Sequence, residues 1–234
     1  MSSRHEFKYI LTRHQAATIE HFVQKIGMAK DVSQNGSYSV TSLYFDTPQF
    51  TDFHDKLGGY KKRKKLRVRT YGQWFTTEPQ LMNFEIKEKY DMNIVKIKSR
   101  ITHSSMLLTS QHMDALLVNT EQNKELREFK HLYYSQGYRP HIIVRYDRSA
   151  YEQTFKSKVR LTFDRNIETC QADRNMTYSS LTSVSDSVIM EIKFADSLPW
   201  WFKYITLQFE LSRQPFSKYS ESVDTLKKPN HIHR

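Results

Sequence analysis

Lys65, Arg67 and Arg69 stand at every second position of KKLRVRTYG, with Leu66, Val68 and Thr70 between them. A β-strand sends successive side chains to opposite faces, so this segment as a strand carries three cations on one side. The pattern recurs in NFEIKEKY, where Glu85, Lys87 and Lys89 alternate with Phe84, Ile86 and Glu88. It recurs again in VIMEIKF, where Glu191 and Lys193 alternate with Met190, Ile192 and Phe194, and VRLTFD sets Arg160 opposite in facing to Val159, Leu161 and Phe163. One such strand is an ordinary surface strand, polar to water and apolar to a core. Several in one chain point to charged faces that converge on a shared anionic ligand. Two like charges about 6 Å apart repel by roughly 3 kcal/mol at an effective dielectric near 20. A ring of cations is therefore costly when empty; glutamates, bound anions and water offset the cost, and a polyphosphate chain would offset it best.

The whole chain fits that ligand class. Its 234 residues carry 36 Lys and Arg against 25 Asp and Glu, a formal net charge of +11, which makes an acidic partner the default: nucleic acid, an anionic membrane surface or a phosphorylated small molecule. Cys170 is the lone cysteine, which rules out an intramolecular disulfide and a cysteine zinc cluster and suits a reducing cytosol. The N-terminus MSSRHEFKYILTRHQ lacks an apolar run of signal-peptide length, and no later stretch approaches the roughly 18 apolar residues of a membrane span, so a soluble, cytoplasmic chain without a transmembrane segment is expected. There is no Walker loop, no Rossmann glycine pattern and no nucleophile elbow. The histidines form no metal-ligand pattern: His5 borders a strand, and His231 and His233 lie near the C-terminus.

Positioning these side chains requires the elements that carry them. HEFKYIL reads as a first strand; Thr12 caps a following helix with Gln15 as capping-box partner and Gly27 as stop. YSVTSLYFD is a strand ending at Asp46, and Pro48 opens a short helical stretch to Lys56 that ends at Gly58 and Gly59. The basic strand runs from Lys61 to Tyr71, Glu78 and Pro79 mark a turn, and LMNFEIKEKY and NIVKIKSRI form a hairpin around Asp91 to Asn93. Met106, Leu107, Met113, Leu116 and Leu117 predict one apolar helix, and Leu126, Phe129, Leu132 and Tyr133 another. Pro140 restarts the β pattern in HIIVRYDRSAYE, which SKVRLTFDRN pairs across a short connection; Asp173 to Ser187 is mostly loop, SVIMEIKFAD a strand and LPWWFKYITLQFEL an aromatic helix. In that helix Trp200 and Trp201, with Phe202, Tyr204 and Phe209, are expected to pack on the exterior of the sheet. FSKYSESVDTL closes a single domain over residues 1–226, leaving 227–234 as a frayed tail. About eight strands of one polar character with a few helices predict an α+β fold: a closed eight-stranded antiparallel β-barrel with charged side chains inside and apolar ones outside against helices. A half-open sheet with solvated cations outside is the alternative.

The ordered succession RHEFKY, SLYFDT, KLRVRTYG, FEIKEKY, VKIKSRI, VRYDRSAY, VRLTFD, MEIKF and FSKY resembles the VTC domain, the polyphosphate polymerase branch of the triphosphate tunnel metalloenzymes, also called CYTH-like proteins. No single motif is distinctive; the order, over nearly the whole chain, is. The resemblance implies an eight-stranded antiparallel triphosphate tunnel with a divalent metal, Mn2+ or Mg2+, held by acidic residues. It implies catalytic roles for Arg67, Arg69, Tyr146, Arg148 and Arg160, and phosphate binding by Lys8, Lys56, Lys87, Lys98, Lys193, Ser217 and Lys218. Glu191 matches the metal-binding glutamate, with Glu6 and Glu85 as further acidic candidates. Two departures stand out: Lys56 occupies a position where Arg is common, which loses the bidentate fork, and Pro215 precedes FSKY where another Lys is expected.

Phosphoryl transfer asks a protein mainly for positioning, neutralisation of phosphate oxygens and a metal. Guanidinium groups suit the task because they stay charged and grip two oxygens at once. A carboxylate among cations serves either as a metal ligand or as a structural counter-ion, and both remain open for Glu191. The expected activity is ATP-dependent synthesis of polyphosphate. The alternatives are a tunnel-type triphosphatase acting on triphosphate or nucleotide, and a non-catalytic binder of polyphosphate or inositol phosphate. The expected partners are ATP, polyphosphate, pyrophosphate or triphosphate, with a membrane partner in trans left open and no DNA, since nucleic-acid grooves pair cations with exposed aromatics.

Overall fold

The computed structural model describes residues 5–31, 37–72, 80–91, 93–103, 113–114, 117, 124–153, 158–172, 180–195 and 197–228, without the side chains of residues 80, 124 and 125. In chain order the elements are β1 (His5–Leu11), α1 (Arg13–Lys25), β2 (Ala29–Lys30), β3 (Ser37–Asp46), α2 (Thr51–Leu57), β4 (Lys62–Tyr71), β5 (Gln80–Tyr90) and β6 (Asn93–His103). They continue with α3 (Lys124–Ser135), β7 (Arg139–Gln153), β8 (Val159–Gln171), β9 (Thr182–Ser185), β10 (Val188–Phe194), α4 (Trp200–Gln208) and α5 (Lys218–Lys227). The fold is α+β, with eight principal strands among the described residues, as the polar periodicity implies. They hydrogen-bond in the order β1-β10-β8-β7-β3-β4-β5-β6, with β2 added on β7 and β9 on β8. The pairings of β1 with β10, β10 with β8, β3 with β4, β4 with β5 and β5 with β6 are antiparallel.

The chain divides into two compact units, one of Met1–Ser39, Tyr146–Ile167 and Ser185–Ser217, the other of Val40–Arg145, Glu168–Val184 and Lys218–Arg234. In the first, the apolar sides of the strands supply Tyr9, Leu11, Leu161, Phe163, Met190 and Ile192, which pack with Ala16, Ile19 and Val23 of α1 and Trp201, Phe202 and Ile205 of α4. Helix α1 starts where expected. The Thr12 hydroxyl accepts from the Gln15 N–H at 3.1 Å, and the Gln15 side chain accepts from the Thr12 N–H at 2.9 Å. It ends at Gly27, whose φ of 86° lets Met28 donate back to the Val23 carbonyl at 3.0 Å, a turn that an L side chain resists.

In the second unit Leu43, Phe45, Leu66, Val68, Phe84 and Ile86 line one side of β3, β4 and β5 and pack with Leu126, Phe129, Leu132 and Tyr133 of α3. The ring of Phe129 meets Phe45 edge-on at 5.4 Å and Phe84 at 5.1 Å, so it ties the helix to two strands. Burying a side chain of this kind stabilises by about 1.5–3 kcal/mol. In each unit the helices thus cover the apolar strand face, which leaves the charged face for other work.

Several boundaries differ from the sequence reading. Helix α2 begins at Thr51 rather than at Pro48, because the carboxylate of Asp46 accepts from the Asp52 and Phe53 N–H groups and so sets the first turn. The Asp173–Ser187 segment holds the short strand β9, paired to β8, where mostly loop is expected. Trp201 is buried as expected, but Trp200 is 75% exposed, since helical spacing turns adjacent residues to different sides. Met113 and Leu117 are buried in the second core, while Met106, Leu107 and Leu116 of the same expected helix, the Glu78–Pro79 turn and the tail from 229 on lie outside the described residues.

Candidate anion-binding site

In the first unit, the register sets Glu6 opposite Lys193 and Lys8 opposite Glu191, with Arg160 on the far side of Lys193. Alternation in three adjacent strands thus places these charges on one face. Lys193 lies 2.7 Å from Glu191 and 3.9 Å from Glu6; Lys8 lies 3.5 Å from Glu191 and 3.6 Å from Glu6. Lys8 also donates to the Phe216 carbonyl at 3.1 Å, which ties the residue before Ser217 to β1. Arg160 pairs with Glu152 and, at 3.2 Å, with Asp31, and its Nη2 donates to the Tyr38 hydroxyl at 3.4 Å.

Arg148 is held differently. Its Nε and Nη2 donate to the two oxygens of the fully buried Asp164 at 2.6 and 2.8 Å, and its guanidinium lies 5.3 Å from the centre of the Tyr146 ring. Burial disfavours its charge, but Tyr146, Asp164 and Glu191 outweigh that and push its pKa well above the usual arginine value. One edge of the fork is thereby committed, so any grip on a phosphate comes from the Nη1 side.

In the second unit, β3 to β6 build a face of parallel cross-strand rows. One runs Tyr44–Arg67–Glu85–Lys98, and its neighbours run Ser42–Arg69–Asn83–Arg100 and Lys65–Lys87–Lys96. Arg67 Nε donates to Glu85 at 2.7 Å and its Nη1 to the Tyr44 hydroxyl at 3.2 Å; Arg69 lies 3.9 Å from Glu85. Burial pushes the Glu85 carboxyl up, yet Arg67, Arg69 and Lys98 pull it below the usual carboxylate range. The Tyr44 phenol behaves alike: burial raises its pKa, but Arg67, Arg69 and Lys218 bring it below the ordinary value. Lys218 at the start of α5 is thus near enough to favour the charged form of Tyr44. Lys56 lies half-buried on α2.

Most expected cations thus come together within one unit or the other, and each group of arginines carries built-in carboxylates. Asp164, Asp31, Glu152 and Tyr44 escape the sequence reading. Only the alternation that puts Arg160, Thr162 and Asp164 on one face signals the first of these. Among the described residues no three His, Cys, Asp or Glu side chains gather as a metal site. Glu6 and Glu191, which share Lys8 and Lys193, form an oxygen-only donor pair that fits a hard divalent ion able to complete its shell with phosphate and water.

A family model described as the VTC domain matches residues 3–227. No curated protein matches the chain in sequence. Among solved structures, a Bacillus halodurans protein provisionally named an adenylate cyclase superposes with a TM-score of 0.51 at 11% identity, covering 91% of this chain and 92% of its own. A Pyrococcus horikoshii protein superposes with a TM-score of 0.47 at 12% identity over 96% and 100% of the two chains. A Hippeastrum protein, provisionally named an adenylyl cyclase and described as having a dominant triphosphatase activity, does so with a TM-score of 0.47 at 12% identity over 94% and 95%. The first of these likenesses supports a shared fold.

Proposed function

Since the chain belongs to the VTC domain family, we propose that it is a metal-dependent phosphotransferase that moves the terminal phosphate of ATP onto a growing polyphosphate chain. The bond from the γ-phosphorus to the bridging oxygen of ATP breaks, ADP leaves, and a terminal oxygen of the polymer forms the new bond to phosphorus. The observation that carries the reading is the row Lys65–Lys87–Lys96, followed on the same face by the row of Arg67 and Lys98 and then by that of Arg69 and Arg100. Like charges directly opposite one another across strands destabilise a sheet, and a polyanion reverses the sign of that cost.

In this reading Arg67 and Arg69 of the second unit, and Arg148 and Arg160 of the first, neutralise phosphoryl oxygens, with Tyr146 beside Arg148. Lys8, Lys56, Lys87, Lys98, Lys193, Ser217 and Lys218 hold neighbouring phosphates. Glu191 with Glu6 would hold Mg2+ or Mn2+, and Glu85 acts as counter-ion to Arg67 and Arg69. The metal supplies charge neutralisation on the phosphoryl oxygens. Residues 1–226 act as one catalytic domain. No helix among the described residues is long and apolar enough to cross a membrane.

Incubation of the purified protein with ATP and Mn2+ should yield an acid-stable polymer that an exopolyphosphatase degrades. Release of free phosphate without polymer would replace the polymerase with a triphosphatase. Tight polyphosphate binding with neither product would leave a binding domain.

A further inference from the structure

Asp46 ends β3, two residues beyond Tyr44, and is fully buried. Its Oδ1 accepts from the N–H groups of Thr47 at 2.7 Å and Asp52 at 3.0 Å, and its Oδ2 accepts from the Phe53 N–H at 3.1 Å and from the hydroxyl of Tyr219. Helix α2 has no cap of its own, because Phe50 before it offers no side-chain acceptor; Asp46 supplies one from the strand. The same carboxylate thus ties together the start of α2, which carries Lys56, and the start of α5, where Tyr219 directly follows Lys218.

Tyr219 joins this anchor to the cationic face. Its ring lies 5.3 Å from that of Tyr44, Lys65 Nζ lies 5.8 Å from its centre, and the Tyr44 hydroxyl accepts from Arg67. A lysine ammonium on four methylenes loses rotamer entropy when it must meet a ligand, and a fixed backbone origin limits that loss. We propose that Asp46, through the hydroxyl of Tyr219, is a positioning residue that holds Lys218 at the Tyr44–Arg67 part of the cationic face, so that triphosphate affinity depends on a carboxylate that never touches the ligand. The inference rests on the preceding reading that Lys218 binds phosphate.

Calorimetric titration of the full chain with tripolyphosphate tests it, using Tyr219→Phe, Lys218→Ala and the double variant. Tyr219→Phe keeps the ring and its packing and removes one hydrogen bond, so Kd should rise about threefold to tenfold. Lys218→Ala should weaken binding at least as much, and the double variant no further than Lys218→Ala alone. A merely structural hydroxyl would instead give losses that add. Asp46→Asn, which keeps the side chain's size, should repeat the pattern of Tyr219→Phe against Lys218→Ala. Wild-type affinity in Tyr219→Phe, or additive losses, would overturn the positioning role and leave phosphate binding by Lys218 standing. Wild-type affinity in Lys218→Ala would overturn both.

Discussion

Arg148 and Arg160 sit in different electrostatic settings, and that separates what each substitution should do. Arg148 donates to both oxygens of buried Asp164, so Arg148→Ala takes two charge-assisted hydrogen bonds from a buried carboxylate and is expected to cost about 3–5 kcal/mol. Urea unfolding would register it, and Asp164→Asn in the same chain should recover part of the loss. Arg160 and Glu152 are each more than a third exposed, so Arg160→Ala should change stability by less than about 1 kcal/mol while weakening tripolyphosphate binding. Arg160 is therefore the cleaner probe of function. Asp52 makes a separate prediction. Burial, then the neighbouring Asp46 carboxylate, raise its pKa from 3.8 to about 8, against the pull of the Tyr138 hydrogen bond. The folded chain keeps a proton that the unfolded chain releases within that window, so this group's contribution to stability falls as pH rises from about 4 to 8. Unfolding free energies measured between pH 5 and pH 9 should decline less steeply in Asp52→Asn; an unchanged slope would show that Asp52 is ionised throughout.

The strands carry a trade between stability and binding. Lys87 stands between Lys65 and Lys96 in one cross-strand row. Lys87→Glu turns two repulsive pairs attractive, and at about 0.2–1 kcal/mol per pair the chain should become more stable. The same change should weaken polyphosphate binding. A variant that lost both stability and affinity would mean that the row is not strained by like charge. On the opposite side of those strands, Phe129 of α3 packs on Phe45 and Phe84, and Phe129→Ala is expected to cost about 3–5 kcal/mol in urea unfolding with the polar face unchanged. The two substitutions address the two faces of one sheet, so their effects should be independent.

At the scale of the molecule, a net charge of +11 attracts any polyanion, and salt distinguishes a patterned face from a diffuse positive surface. Tripolyphosphate binding should persist at salt concentrations that release a DNA duplex, and parallel loss of both would point to non-specific attraction. What the sequence determined by itself is local. The two-residue period assigns Lys8, Arg67, Lys87, Arg160 and Lys193 to polar strand faces, and Thr12, Gln15 and Gly27 delimit α1, because each rests on spacing within a few residues. The α+β class and the eight principal strands follow from repeating that reading along the chain. Partners came only with tertiary structure. Strands β1 and β10, from opposite ends of the chain, are neighbours, and that pairing brings Glu6 and Lys8 against Glu191 and Lys193. Asp46 meets the Tyr219 hydroxyl across 173 positions, and Arg160 meets Asp31 across 129. Strand order and register decide which carboxylate offsets which cation, and no local pattern carries that information, because the Coulomb energy depends on distance in space and not along the chain.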